Sequence, residues 1–352
     1  MKRILEVSPF PPFIGGVSVS VKRLCDHLVS LGYQPVKFDT QLSNKKINWK
    51  ILKFLKYLSL PVYLMFHKRF DIIHFHVSNF LPKFYVSLWR PLFSKKTKFI
   101  LTIHGSITGR MKSHRGYFAM RGFDTIICVR EGDSVNVPEK LRYRAVEIPA
   151  FIPPAESKPS VSKNVEGAIE SFVQRRTFKI LVNGFVIINE RYNDLYGFGD
   201  AVELGVRMNE SGRDTGMILI VLGLHQPKES RQFTDRLKGY IREKNLEDHF
   251  MWIESSPMDM WPLLKRVNLL LRPTKTDGDA LSIREALFLK TPVITSDAVP
   301  RPAGTITYKR DSSDDLFAKT VDLFENYNEI ISGLNNYTSN FADKILEQYD
   351  IG

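Results

Sequence analysis

RPTKTDGDALSIREALFLKTPVITSDAVP, residues 272–300, is the stretch on which the reading of this chain turns. It follows an apolar run, Val267 to Leu271, that reads as a buried parallel strand. A polar loop with Asp277, Gly278 and Asp279 comes next. The spacing predicts a helix from about Ser282 to Lys290, stopped by Thr291-Pro292, and then a strand at Val293–Thr295. In a doubly wound sheet such a strand-to-helix loop lies at the carboxyl edge, where ligands bind. The helix start offers unpaired N–H groups and a positive dipole end to an anion such as a diphosphate. Two carboxylates, Asp277 and Glu285, bracket it. A plainer role exists for part of this pattern: Ser282-x-x-Glu285 has the form of a capping box.

Working outward, a chain of 352 residues suits two domains of roughly 150 residues each. Its 43% hydrophobic and 25% charged residues are an ordinary globular composition. Two cysteines, Cys25 and Cys128, make neither a disulfide framework nor a zinc spacing, so a reducing cytoplasm is the expectation. The start, MKRILEVSPFPP, has no long apolar core, and no stretch of about 18 uncharged apolar residues occurs. Neither a signal peptide nor a transmembrane helix is expected. The charge is uneven. Residues 1–150 hold 25 Lys+Arg and 9 Asp+Glu, whereas residues 151–352 hold 25 and 29. The first half therefore seeks an anionic surface.

In chain order, a strand at Lys2–Val7 is followed by prolines, then Gly15-Gly16, then an amphipathic helix from about Ser18 to Leu31. Glycine in such a loop lets the backbone approach a phosphate, although a tight turn needs the same residues. Residues 45–70 interleave Lys45, Lys46, Lys50, Lys53 and Lys56 with apolar and aromatic residues. This reads either as a cationic amphipathic helix for an anionic membrane or as a helix packed on the sheet and broken at Pro61. A second cluster runs from Lys83 to Lys98 and includes Trp89, Arg90, Lys95 and Lys96. No nucleic-acid motif accompanies the charge, so nucleic acid is not an expected partner. Strands are expected at Asp71–His76, Lys98–Ile103 and Asp124–Val129, which with the intervening helices describe a parallel α/β sheet. His74 and His76 share one strand face, but no third metal ligand stands out in the sequence. His104-Gly105 follows a strand end.

Residues 149–165 are rich in Pro, Ser and Lys and read as a linker. The expected organisation is residues 1–155 as an N-terminal acceptor-side domain and 156–176 as the linker. Residues 177–325 would form a nucleotide-sugar-binding domain, and 326–352 a C-terminal helix crossing back to the first domain.

Asp277-x7-Glu285 with Glu-Ala-Leu and Pro-Val-Ile after it, the Pro11-Pro12-x-x-Gly15-Gly16 loop, and Thr102-Ile103-His104-Gly105 together carry a resemblance. They resemble the retaining glycosyltransferases of family 4, of the bacterial surface-polysaccharide type. The resemblance implies the GT-B fold, with two Rossmann-like α/β domains facing a cleft. It also implies site residues. Asp277, where the family has Glu, lies with Gly278 against the donor sugar, and Glu285 binds the ribose. His104 lies beside the sugar. Gly15, Gly16 and Gly184 border the diphosphate. The family's phosphate-binding Arg and Lys correspond here to Phe185 and Tyr196. Arg191, Arg272, Lys275 and Arg284 are the nearby substitutes, with Arg272, Lys275 and Ser282 preferred for the diphosphate. Asp277-Gly278-Asp279 also has the form of a metal-holding pair of carboxylates. That form belongs to single-domain metal-dependent transferases, and two α/β halves argue for the metal-independent fold.

The function implied is transfer of a sugar from a nucleotide-diphosphate donor, a UDP-sugar by family frequency, to a lipid-diphosphate-linked glycan acceptor, with retained configuration and no cofactor or metal. The setting would be the cytoplasmic face of the plasma membrane, in surface polysaccharide (lipopolysaccharide) assembly. A nucleotide-sugar epimerase of the same fold and a non-catalytic nucleotide-sugar binding protein are the rival expectations.

Overall fold

A computed structural model describes the chain apart from residues 11–14, 41–48, 68, 78, 106, 155–161, 187, 189–192, 224–225, 256–258, 278, 335–339 and 351–352, and apart from the side chains of residues 49–56 and 110. The described chain divides into two compact units. One comprises Met1–Ala155 with Asn340–Gly352, the other Glu156–Ser339.

The first unit begins with β1 (Ile4–Ser8), α1 (Gly16–Ser30), β2 (Val36–Asp39), α2 (Trp49–Phe66), β3 (Ile72–His76) and α3 (Phe80–Trp89). It continues with β4 (Lys98–Ile103), α4 (His114–Met120), β5 (Thr125–Cys128) and β6 (Ala145–Glu147). The sheet order is β2-β1-β3-β4-β5-β6, every pairing parallel. Alternation puts Leu5, Val7, Ile73, Phe75, Phe99 and Leu101 on one buried face and Ile4, Ile72, Ile100 and Ile127 on the other.

The second unit begins with α5 (Lys163–Gln174), β7 (Phe178–Gly184), α6 (Phe198–Glu210), β8 (Thr215–Leu222), α7 (Lys228–Glu243) and β9 (Phe250–Ser255). It continues with α8 (Trp261–Leu264), β10 (Leu269–Arg272), α9 (Leu281–Phe288), β11 (Val293–Ser296), β12 (Ile306–Tyr308), α10 (Ser313–Glu325) and α11 (Tyr327–Gly333). Its sheet runs β12-β11-β10-β7-β8-β9, again parallel. Here too the strands bury both faces: Ile180, Val182, Met217 and Leu219 on one, Leu181, Ile218 and Ile220 on the other. The chain then returns to the first unit as α12 (Ala342–Gln348). Ala342, Ile345, Leu346 and Tyr349 recur at helical spacing, and all four are buried with Ile4, Ile72 and Ile100. Burying side chains the size of Ile345 and Leu346 is worth about 1.5–3 kcal/mol each, enough to hold a short helix.

Strand order reverses at β1/β3 in the first unit and at β7/β10 in the second. The carboxyl ends of those strands are where a doubly wound sheet opens a ligand crevice. Gly15, Gly16 and His76 follow or close the strands at the first reversal, and Gly184 and Arg272 close the strands at the second.

Several sequence expectations change. Residues 163–174 are not linker but helix α5. The polar composition ends at Ser162, whose hydroxyl caps the helix by accepting the Val165 N–H, and Ile169 and Phe172 are buried against the second sheet. Residues 326–352 are not one crossing helix: α11 packs Ile330 and Ile331 into the second unit, and only α12 joins the first. Helix α2 runs unbroken through Pro61. Helix α9 starts at Leu281 with Ala280 as its N-cap, so Ser282 and Glu285 do not form a capping box. It ends at Phe288, and Lys290 takes the left-handed conformation (φ 58°).

Candidate active site

The carboxyl end of β10 carries a buried charge cluster. Arg272 Nε donates to Asp277 Oδ2 at 2.8 Å and its Nη2 to Oδ1 at 3.3 Å, a forked pairing. From the loop after β11, Arg301 Nη1 donates to the same Oδ2 at 3.2 Å. Its Nη2 donates to Thr274 Oγ1 at 3.0 Å, and its Nε to the Ser296 carbonyl at 3.1 Å. Only 10% of the Arg272 side chain, 11% of Asp277 and 3% of Arg301 is exposed. Burial works to raise the Asp277 carboxyl, but the two guanidinium groups outweigh it and hold the carboxyl below its ordinary value. Among the described residues of this cluster, two cations stand against one anion, an excess of one positive charge. The neighbouring pair, Arg284 Nε with both oxygens of Asp279 at 2.8 Å, is balanced. Asp277 and Asp279 thus both take guanidinium partners. The start of α9 adds its N–H groups and dipole here.

Beneath Arg272 lies an aromatic floor. The guanidinium carbon is 5.3 Å from the centre of the Tyr196 ring. That ring lies against the end of β7, so a Cβ on Gly184 would come within 2.6 Å of it. Gly197, with φ +70°, passes Pro273 so closely that a Cβ would meet its carbonyl oxygen at 2.3 Å. Glycine at 184 lets the Tyr196 ring lie against the end of β7, and glycine at 197 lets the β7–α6 loop press against the loop after β10. The two positions at which the resemblance expects basic residues, 185 and 196, hold aromatics, and the guanidinium over Tyr196 comes from β10 instead.

The other expected residues fall as follows. Ser282 is 8% exposed and Glu285 4%, both on the first turns of α9. Lys275 Nζ donates to the Asn193 carbonyl at 2.9 Å. Gly278 and Arg191 lie outside the described residues. Asp277, expected to reach the donor sugar, spends its oxygens on Arg272 and Arg301 in this structure. In the first unit, Gly15 is the N-cap of α1 and Gly16 its first residue; a Cβ at either would meet nothing within 4 Å, so no described neighbour within the chain demands glycine there. His104 stands just past β4, half-buried, with Nε2 at 3.0 Å from His76 Nδ1. Burial, then the nearby His76, lowers its pKa well below 6.5.

Sequence reasoning missed Arg301, which sits 24 residues after Asp277 in an irregular stretch with no pattern to mark it. It also passed over Glu6, the third group beside His74 and His76. A single acid inside the apolar strand ILEVS was the available signal. The basic cluster at 83–98 is also less of a surface than expected. Lys83 is 1% exposed, and burial brings its pKa down to about 8. Trp89 is buried, and Arg90 pairs with Asp124 at 3.1 Å. Lys95 and Lys96 remain exposed. Lys45 and Lys46 lie outside the described residues, as do the side chains of Lys50, Lys53 and Lys56. No helix among the described residues is long and apolar enough to cross a membrane.

No protein-family model matches the sequence, and no curated protein matches it. Solved structures do. The chain is similar to a glycosyltransferase from Rickettsia africae ESF-5, at 16% identity and TM-score 0.65, covering 99% of this chain and 98% of that one. It is similar to Anabaena Alr3699/HepE in complex with UDP, at 10% identity and TM-score 0.66, covering 99% and 98%. It is similar to sucrose-phosphate synthase from Thermosynechococcus elongatus, at 14% identity and TM-score 0.67, covering 99% and 98%. What these likenesses share with the two parallel six-stranded sheets described above is architecture, and the architecture of this chain is the GT-B fold.

Proposed function

We propose that this chain is a retaining glycosyltransferase that moves a sugar from a UDP-sugar to a lipid-diphosphate-linked saccharide at an anionic membrane surface, in surface polysaccharide assembly. The observation that carries the reading is the Arg272–Asp277–Arg301 cluster, two guanidinium groups to one carboxylate among the described residues, at the strand reversal and at the head of α9. A nucleotide-sugar transfer releases a diphosphate, so stabilising that leaving charge with preorganised donors is the main catalytic task. Arg272, Lys275, Ser282 and the α9 N–H groups would serve the diphosphate, with Arg301 holding Asp277 behind them. Glu285 would bind the ribose, and Asp277 with Gly278 the sugar hydroxyls. Arginine supplies the charge that a divalent cation would otherwise bring, so transfer is proposed to need no metal and no cofactor. Attack from the face the diphosphate leaves would let the departing phosphate take the acceptor's proton, and no protein nucleophile is then required. His104 would stand beside the sugar. HepE is described in complex with UDP and with UDP-glucose, which favours a uridine donor here.

Exposed apolar side chains support the membrane surface. Val62, Met65 and Phe66 on α2, Leu81 and Leu88 on α3, and Leu92 just after it are all exposed, beside the exposed cations Arg69, Lys95 and Lys96. The opposite face of α2 buries Tyr57, Leu60 and Leu64 in the core.

The test is a panel of nucleotide sugars. UDP and one UDP-sugar should raise the melting temperature saturably. The sugar should pass to a lipid-diphosphate-linked saccharide in EDTA, with retained anomeric configuration by NMR. Absence of binding by every nucleoside diphosphate sinks the proposal. Conversion of the donor without acceptor would establish the epimerase reading in its place.

A further inference from the structure

Strands β1, β3 and β4 are neighbours, and alternation carries every second side chain onto one face. Near their amino ends that row is apolar: Ile4, Ile72 and Ile100. Two residues on it turns polar. Glu6 stands in register with His74, and His76 with Thr102, with His104 just beyond β4. Tyr349, following α12, lies over this face and is 0% exposed, as are Glu6 and His74.

A carboxylate sealed from water must find donors inside the protein. Glu6 Oε1 accepts the Tyr349 O–H at 2.7 Å, and Oε2 lies 3.0 Å from His76 Nε2. His74 Nδ1 is 2.5 Å from the Tyr349 oxygen, and His74 Nε2 is 2.6 Å from Thr102 Oγ1. His76 Nδ1 is 3.0 Å from His104 Nε2. With one proton on each imidazole, the directions follow from the carboxylate, which can only accept. Tyr349 and His76 Nε2–H donate to Glu6. The Tyr349 oxygen accepts His74 Nδ1–H, and His74 Nε2 accepts the Thr102 hydroxyl. His76 Nδ1 is left bare and accepts His104 Nε2–H. The same Glu6, His74 and His76 atoms are of metal-ligand type. His74 Nδ1 also lies 3.5 Å from Glu6 Oε2, but all four nitrogens of His74 and His76 already have a hydrogen-bond partner at 3.0 Å or less, which accounts for the cluster without an ion.

We infer that the buried Glu6 carboxylate, acting through His76, holds the His104 ring in one orientation and in its Nε2–H tautomer, so that Nδ1 is the accepting nitrogen. Glu6 and His76 are positioning residues. An accepting Nδ1 suits a sugar hydroxyl, and this catalytic consequence rests on the proposed function; the tautomer itself does not.

The experiment is long-range proton–nitrogen NMR on the full chain labelled at histidine nitrogen, at pH 7.5, with the His104 signal assigned by its loss in His104→Asn. A single neutral Nε2–H signal for His104 supports the inference. So does its change to a tautomer mixture in His76→Phe, with partial restoration in His76→Asn, whose amide oxygen can replace Nδ1. In the transfer assay His76→Phe should lower kcat about 10- to 100-fold with the donor KM nearly unchanged, as expected for a misplaced group. An Nδ1–H His104, an imidazolium at position 76 or 104, or a stoichiometric transition metal in the purified protein overturns it. Should His76→Phe fail to fold, the wild-type spectrum decides alone. The expected tautomer in a protein that transfers no sugar supports this inference and overturns the proposed function.

Discussion

At the carboxyl edge of the second sheet two guanidinium groups share one carboxylate, whereas at the edge of the first one carboxylate gathers donors from a phenol and an imidazole. Both sheets are parallel, buried on both faces and reversed once, so architecture does not separate them. Charge does. Among the described residues the buried Arg272–Asp277–Arg301 cluster holds two cations to one anion, an excess that would suit an anionic ligand. The Glu6–His76–His104 chain is sealed beneath α12 except at its last ring, which is what orienting a single group needs. On the proposed function, one edge would attract and the other would aim.

Four experiments break or sharpen this contrast. The largest effect is expected from Asp277→Asn, which leaves two buried guanidinium groups facing each other without their anion. Breaking a buried pair in this way costs about 3–5 kcal/mol, read in urea unfolding of the second unit. A loss below about 1 kcal/mol would mean that the cluster is solvated and the excess charge is unremarkable. Arg301→Leu comes next. It leaves Asp277 to neutralise Arg272 alone, and UDP affinity by calorimetry should fall about 10-fold, since the positive field at the diphosphate is reduced without loss of a direct contact. Unchanged affinity would detach the arginine pair from nucleotide binding. In the first unit, Tyr349→Phe takes one donor from the sealed Glu6 carboxylate. The expected cost is about 1–3 kcal/mol, with hydrogen exchange accelerated across β1, β3 and α12. Stability equal to wild type would show that the network tolerates the loss.

The smallest effect per group is in pH. Burial lowers His74 and His104 from their ordinary 6.5. Below that value the unfolded chain binds protons that the folded first unit refuses, so stability present above pH 6.5 is lost as pH falls. In the second unit Asp277 is held below its ordinary 3.8, and its contribution is lost only under that pH. Asp200, raised by burial and then by Asp194 to about 6, takes up a proton in the folded state first. It therefore adds stability between about pH 6 and 3.8. Between pH 7 and pH 5, hydrogen exchange corrected for its intrinsic rate should show protection falling in β1, β3 and β4 but holding in β7 and β10. Equal loss in both units would erase the distinction.

The boundaries of the elements were largely readable because they depend on local chemistry. The apolar run into β10 and the Thr-Pro stop before β11 mark themselves by hydrophobicity and backbone preference. The α5 segment misled because its first neighbours are rich in Pro, Ser and Lys, while its buried residues, Ile169 and Phe172, become informative only once a sheet exists for them to cover. The motif singled out Asp277, yet nothing in the sequence singled out its partner Arg301, since no local pattern connects the two.

What the amino-acid order settled unaided was alternation: apolar runs between helical stretches, broken by glycine and proline, which commit the chain to parallel sheets with ligand loops at their carboxyl ends. What only the folded chain decided was pairing. Tyr349 meets Glu6 across 343 residues, and Arg301 meets Asp277 from another strand's loop. Backbone preference acts between neighbours along the chain, but a buried charge is satisfied by whatever tertiary packing brings within about 3 Å of it, and sequence separation does not enter that distance.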